Sequence, residues 1–151
     1  MTIDLEALAA LGERMAQQTP HSAALGLEFV SVEAGVGILK VPYRDDLVGD
    51  PRTGVLAGGV ITALLDHACG LAVKAAALDF DATATLDLRI DYMRPAEPRR
   101  DILARAHCYK LTHTIAFVRA VAYEDDPDDP IAAAQAAFVR AGAAPRPAAN
   151  G

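Results

Sequence analysis

The chain has 151 residues, the length of one ordinary domain with room for a hydrophobic core. Its net charge of −6 and pI near 5.1 leave no Lys/Arg run to replace phosphate counterions, which excludes a nucleic-acid binder and requires a local basic patch for any anionic ligand. The opening MTIDLEALAALGERM is acidic where a secretion signal is basic, and no run of about 18 apolar residues is free of charge, so a cytoplasmic protein without a membrane span is expected.

Leu5, Leu8, Leu11 and Met15 recur at helical spacing behind Asp4, a residue suited to cap a helix N-terminus, and Pro20 bounds this first element. Residues 1–24 are therefore read as an N-terminal helix with a linker. Two short β-like runs, Leu27 to Val32 and Val36 to Val41, flank a turn and form a hairpin signal. Tyr43 to Thr53 is rich in Asp, Gly and Pro and reads as a loop. GVLAGGVITALLDHACG then opens the longest helical stretch, which continues to Ala77. Beyond it TLDLRIDY alternates, with Leu86, Leu88, Ile90 and Tyr92 on one face and Thr85, Asp87, Arg89 and Asp91 on the other. Ile102 to Leu111 and Ile115 to Tyr123 are further strands, and Glu124 to Pro130 is an acidic turn. PIAAAQAAFVR has the composition and cap of a helix, yet it could equally pair with the strand before it. Residues 142–151 read as a disordered tail. One long helix followed by strands implies an α+β domain with the helix laid on an antiparallel sheet.

On that helix Val60, Ile61, Leu64, Leu65, Ala68, Leu71, Ala72 and Ala75 share one broad apolar face. Asp66 lies nearly opposite, in a stripe with Gly59, Ala63 and Gly70. An acid there is either part of a solvated back or the reason the stripe is small, because close approach by a ligand or another chain would explain glycine inside a helix. The paired glycines at the start leave unpaired N–H groups at the positive end of the helix, where they could stabilise an oxyanion. Gly58 and Asp66 are about 12 Å apart along a straight helix at 1.5 Å per residue, too far to touch one carbonyl together. The side chains of Asp66, His67 and Cys69 diverge, so no metal site is expected, and no nucleophile elbow, Walker loop or dinucleotide fingerprint is present. Cys69 and Cys108 sit in apolar periodic segments and read as packed thiols.

Taken together, LVGDPRTGVLAGGVITALLDHACGLAV, TLDLRIDYMRPA and KLTHTIAFVRAVAYEDD resemble the hotdog-fold acyl-CoA thioesterases of the PaaI type over roughly Leu25 to Arg140, which implies a hotdog domain at residues 25–141. The resemblance implies an antiparallel sheet wrapped around the long helix, with PIAAAQAAFVR as the last strand. It also implies a homodimer, assembled further as a dimer of dimers, with sites at the subunit interface. Asp66 would be the general base or nucleophile, the Gly58 N–H would polarise the thioester carbonyl with Gly59 beside it, and Thr85 would position water from the neighbouring subunit. Tyr92, Arg94, Lys110 and His113 would contact the coenzyme A portion of an acyl-CoA substrate, and no cofactor is required; Arg94, Arg99 and Arg100 could equally serve only to solubilise their turn. Two positions depart from the family pattern. Ala57 stands where a histidine usually precedes the glycines, and Asp50 with Pro51 stands where many members carry an asparagine. A non-catalytic acyl-CoA binder is the alternative these departures raise, and a hydratase ranks below both because Asp66 and His67 diverge.

Overall fold

The computed structural model describes residues 4–140, so the tail at 142–151 lies outside the described residues. Helix α1 (Leu5–Gln18) starts where Asp4 accepts the Ala7 N–H at 2.8 Å. It buries Leu8, Gly12 and Ala16, and Gly12 is obligatory because a methyl there would lie 2.5 Å from the Phe29 ring. Pro20 does more than end this element. It is the first residue of a second helix, α2 (Pro20–Leu25), where its missing N–H costs nothing, and Gly26 closes that helix in the left-handed region at φ 73°. The stretch read as a linker is therefore helical.

The hairpin is present as β1 (Glu28–Glu33) and β2 (Val36–Val41). The expected loop holds a 3₁₀ turn at Asp45–Leu47 and a two-stranded ribbon of β3 (Val48–Asp50) with β4 (Val55–Leu56). After α3 (Gly58–Ala77) come β5 (Thr83–Tyr92), β6 (Ile102–Leu111), β7 (Ile115–Tyr123) and β8 (Ala132–Arg140). The main sheet has the order β1-β2-β6-β7-β8-β5, every neighbouring pair being antiparallel. PIAAAQAAFVR is thus a strand. Ala132, Ala134, Ala136 and Phe138 alternate inward, so cross-strand packing overrides alanine's helix propensity.

All eight residues assigned to the apolar face of α3 are buried, and Cys69, Gly70 and Val73 join them. The helix is apolar and long enough to cross a bilayer, but the sheet covers it here. Leu71 rests directly on Gly37 of β2, where an added Cβ would meet the leucine at 2.8 Å.

Strand β5 departs from its predicted alternation. Its ladder with β8 slips between Thr85 and Asp87, so Leu86 is the extra residue of a β-bulge. Thr85 pairs with inward-facing Phe138, and beyond the bulge Leu88, Ile90 and Tyr92 pair with inward-facing Ala136, Ala134 and Ala132. Thr85 therefore shares the helix side with Leu88, and Leu86 is turned out, 58% exposed.

Candidate active site

The bulge aims Thr85 at the acid. Thr85 Oγ1 donates to Asp66 Oδ1 at 2.7 Å, both in the same chain, so no second subunit is needed to bring the threonine to the acid. β5 returns along α3 immediately after the helix ends, and that return puts the two residues side by side. Asp66 is half-buried, neither in the core nor on an open back. Gly70, expected on the same free stripe, is buried toward Phe138, whereas a Cβ on Gly59 would meet nothing within 4 Å. One hydroxyl proton thus satisfies one carboxylate oxygen of Asp66, and the hydroxyl fixes the rotamer of the acid.

The second half of the arrangement lies at the other end of β5. Helix α3 begins at Gly58 itself, behind Ala57 as N-cap, which offers no side-chain hydrogen bond. The N–H groups of Gly58 and Gly59 have no intrahelical partner, as at any helix start. Tyr92 Oη donates to the Gly58 carbonyl at 2.8 Å, Thr62 Oγ1 donates to the same oxygen at 3.1 Å, and the two hydroxyls lie 3.0 Å apart. Thr62 is an addition to the residues expected here, although a threonine four residues after a helix start commonly bonds back to that carbonyl. Beside Gly58 an apolar groove of about 460 Å³ is lined by Leu56, Ile61, Tyr92, Met93 and Ile131. Because the helix starts at Gly58, the separation of about 12 Å from Asp66 stands within one chain.

Arg94 also borders the groove beside Gly58, but its guanidinium is engaged within the chain. Its five N–H donors all have partners, namely both Glu124 carboxylate oxygens at 2.6 and 3.2 Å, Asp129 Oδ1 at 3.3 Å, and the carbonyls of Asp129 and Pro95 at 2.8 and 3.1 Å. Glu124 is buried, and although burial raises its pKa, the Arg94 guanidinium and the Glu97 N–H hold it below the ordinary value. Arg94 ties the β7–β8 turn to the end of β5. Lys110 pairs across from Phe117 on the outer face, while Ala116 and Val118 face the helix. His113 is exposed in the β6–β7 turn. Thr85, Phe138, Ala116 and Leu111 form one row, which places that turn three strands, about 14 Å, from the acid. Asp50 is occupied locally by Arg52, whose hydrogen bonds lower the acid's pKa.

His67 has a structural task. Its Nε2 lies 2.5 Å from Oγ of Ser22, which is 1% exposed, so the imidazole latches α2 to α3. Burial pushes its pKa down, and the charge of Asp66 opposes that only in part. Burial likewise pushes the Cys69 thiol up to about 12, so Cys69 supplies no thiolate.

A long helix laid on an antiparallel sheet in this strand order defines a hotdog fold, the architecture of thioester hydrolases. The thioesterase superfamily profile matches residues 53–131, and the chain belongs to that superfamily. A medium/long-chain acyl-CoA thioesterase, YigI of Salmonella typhimurium, is 29% identical over 134 residues, 80% of this chain and 86% of that one. A solved structure from Pseudomonas aeruginosa superposes with a TM-score of 0.81 at 41% identity, over 88% of this chain and 98% of that one. A mutant form of the phenylacetic acid degradation protein PaaI from Thermus thermophilus gives a TM-score of 0.69 at 26% identity, over 81% of this chain and 99% of that one.

Proposed function

We propose that the chain hydrolyses acyl-CoA to a carboxylic acid and free CoA as a homodimer in which each site draws on both subunits. Asp66 and Thr85 of one copy would act with the Gly58 and Gly59 N–H groups of the other. The observation carrying this reading is that Thr85 orients Asp66 within one chain while the oxyanion donors of that chain stand about 12 Å away. Strand β5 is the outer edge of the sheet, and Leu86, Tyr92 and Met93 on and beside it are 58%, 52% and 60% exposed. An unpaired edge with apolar side chains favours a second strand. An antiparallel β5–β5 pairing centred between Leu88 and Arg89 sets Thr85 opposite Tyr92 of the second copy, and so brings Asp66 toward that copy's Gly58.

In the general-base form of the reaction, the free oxygen of Asp66 takes a proton from water as the water oxygen attacks the thioester carbon. The carbonyl electrons move to an oxyanion that the glycine N–H groups stabilise. Collapse of that intermediate breaks the C–S bond, and the CoA sulfur leaves with the proton held by Asp66. In the nucleophilic form, Asp66 attacks the carbon itself and the C–S bond breaks with CoA leaving as its thiolate; water then cleaves the resulting anhydride to the carboxylic acid and the Asp66 carboxylate, the water's other proton going to the thiolate. The apolar groove beside Gly58 suits an aliphatic acyl chain, in keeping with the substrates named for the Salmonella relative. His113 is assigned to the CoA end of the ligand.

Subunit mixing tests the shared site. Asp66→Asn and Gly59→Leu are each expected to abolish turnover, the leucine by filling open space over the donors. Co-refolded one to one, they should regain about a quarter of wild-type activity, because half of the dimers are mixed and each mixed dimer has one intact site. No recovery in mixed dimers would show that each chain carries its own complete site. Saturable binding of CoA esters by wild type without turnover would overturn hydrolysis.

A further inference from the structure

Beyond the reaction site, the outer face of the sheet carries a second feature. His107, Arg119, Gln135 and Arg89 pair directly across β6, β7, β8 and β5, forming one row of polar side chains. One step along, Arg105 pairs with Val121, Val121 with Ala133, and Ala133 with Asp91. Small residues in the middle of long ones leave a groove of about 380 Å³, with Val121 and Ala133 as its floor.

The charges in this groove are not explained by the fold. Arg44, Arg52, Arg94, Arg100 and Arg140 each pair with a carboxylate, as expected in a chain with 20 acids against 14 bases. Among the described residues Arg105 and Arg119 form no ion pair, although they are diagonal neighbours on adjacent strands, where like charges repel. Arg119 is held in place by the Tyr109 ring, 4.1 Å below its guanidinium. Arg89 faces them from the opposite wall and is offset by a single acid, Asp91. Three guanidiniums against one carboxylate make the groove the local basic patch that an acidic chain needs for an anionic ligand.

We infer that this groove is a binding site for a small organic phosphate bearing two phosphoryl groups, of nucleoside bisphosphate size. Arg119 and Arg89 stand two strands apart, about 10 Å, which suits a ligand anionic at both ends. Val121 and Ala133 offer an apolar floor to a ring, and the Gln135 amide between them offers one donor and one acceptor edge. The site is on the side of the sheet away from α3, so ligand here does not occupy the Asp66 site.

Calorimetric titration of the full chain in low salt with adenosine 3′,5′-bisphosphate, AMP and inorganic phosphate tests this. Saturable bisphosphate binding is expected, weakening as salt rises and at least about tenfold tighter than that of inorganic phosphate. Arg105→Gln/Arg119→Gln should weaken it by about tenfold or more while basal thioester hydrolysis and Tm stay at wild-type values, Arg89→Gln alone should weaken it less, and Asp66→Asn should bind as wild type does. Absence of saturable binding, binding no tighter than inorganic phosphate, or binding indifferent to the double substitution would each overturn the proposal. So would an assembly that shrinks in sedimentation with the double variant while wild type binds no bisphosphate, since the groove would then be a contact between copies.

Discussion

Three side chains around α3 make separable predictions. Asp66→Asn keeps the shape and loses the proposed base or nucleophile, so kcat for the best CoA ester should fall by a factor on the order of 10² to 10³ or more in a thiol-release assay. Thr85→Val should lower kcat by roughly tenfold with little change in KM, and Thr85→Ser should restore it, because the hydroxyl on Asp66 orients the acid. His67 makes a prediction about stability against pH. Its native pKa is depressed, so the folded chain refuses a proton that the unfolded chain accepts below about pH 6.5. Its contribution is therefore complete above that pH and is lost as pH falls toward the depressed native value. Chemical denaturation from pH 7.5 to 5 should show this loss, and His67→Gln should flatten the curve in that window. The position of Asp66 opposite the core is legible in the sequence because helical azimuth follows from spacing alone. That Thr85 meets it is not legible, because the direction of the threonine depends on a pairing with Phe138 in the last strand of the sheet.

At the level of elements, the bulge in β5 and the glycine in β2 do the positioning. Gly37 lets α3 approach through Leu71, and Gly37→Ala should cost about 1–3 kcal/mol in urea unfolding because the leucine must move. The turn between β7 and β8 depends on Glu124 and Arg94. Glu124→Ala leaves the guanidinium without its buried partner and should cost roughly 3 kcal/mol, seen as a lowered Tm. Arg94→Gln should destabilise comparably, yet leave KM for CoA esters unchanged in the folded protein, which separates this role from phosphate recognition. The strands are mostly readable from period two, and β6 and β7 have the predicted bounds. The role of Arg94 escapes a reading of the sequence because its partners lie 30 and 35 residues away, where no local pattern reaches. The bulge is invisible for a related reason: TLDLRIDY alternates without fault, and only the opposite strand shows where the ladder slips.

For the whole molecule, the exposed β5 edge is where the proposed dimer and the proposed shared site meet. Leu86→Asp with Met93→Asp places charge on two of its most exposed apolar residues, and should shift the dimer toward monomer in sedimentation and reduce hydrolysis in step. The sheet order also has a temporal meaning. β5 leaves the ribosome with its 83–92 segment long before β8 at 132–140, yet β8 is its neighbour in the chain's own sheet. Until the last strand is made, β5 has two open edges, and the sheet's final seam closes over a large sequence separation. Another copy's β5 can compete for one of those edges during that interval. In refolding β8 is present from the start, but the same distant seam has to close, so pairing of chains through β5 as proposed should give a phase whose rate rises with chain concentration.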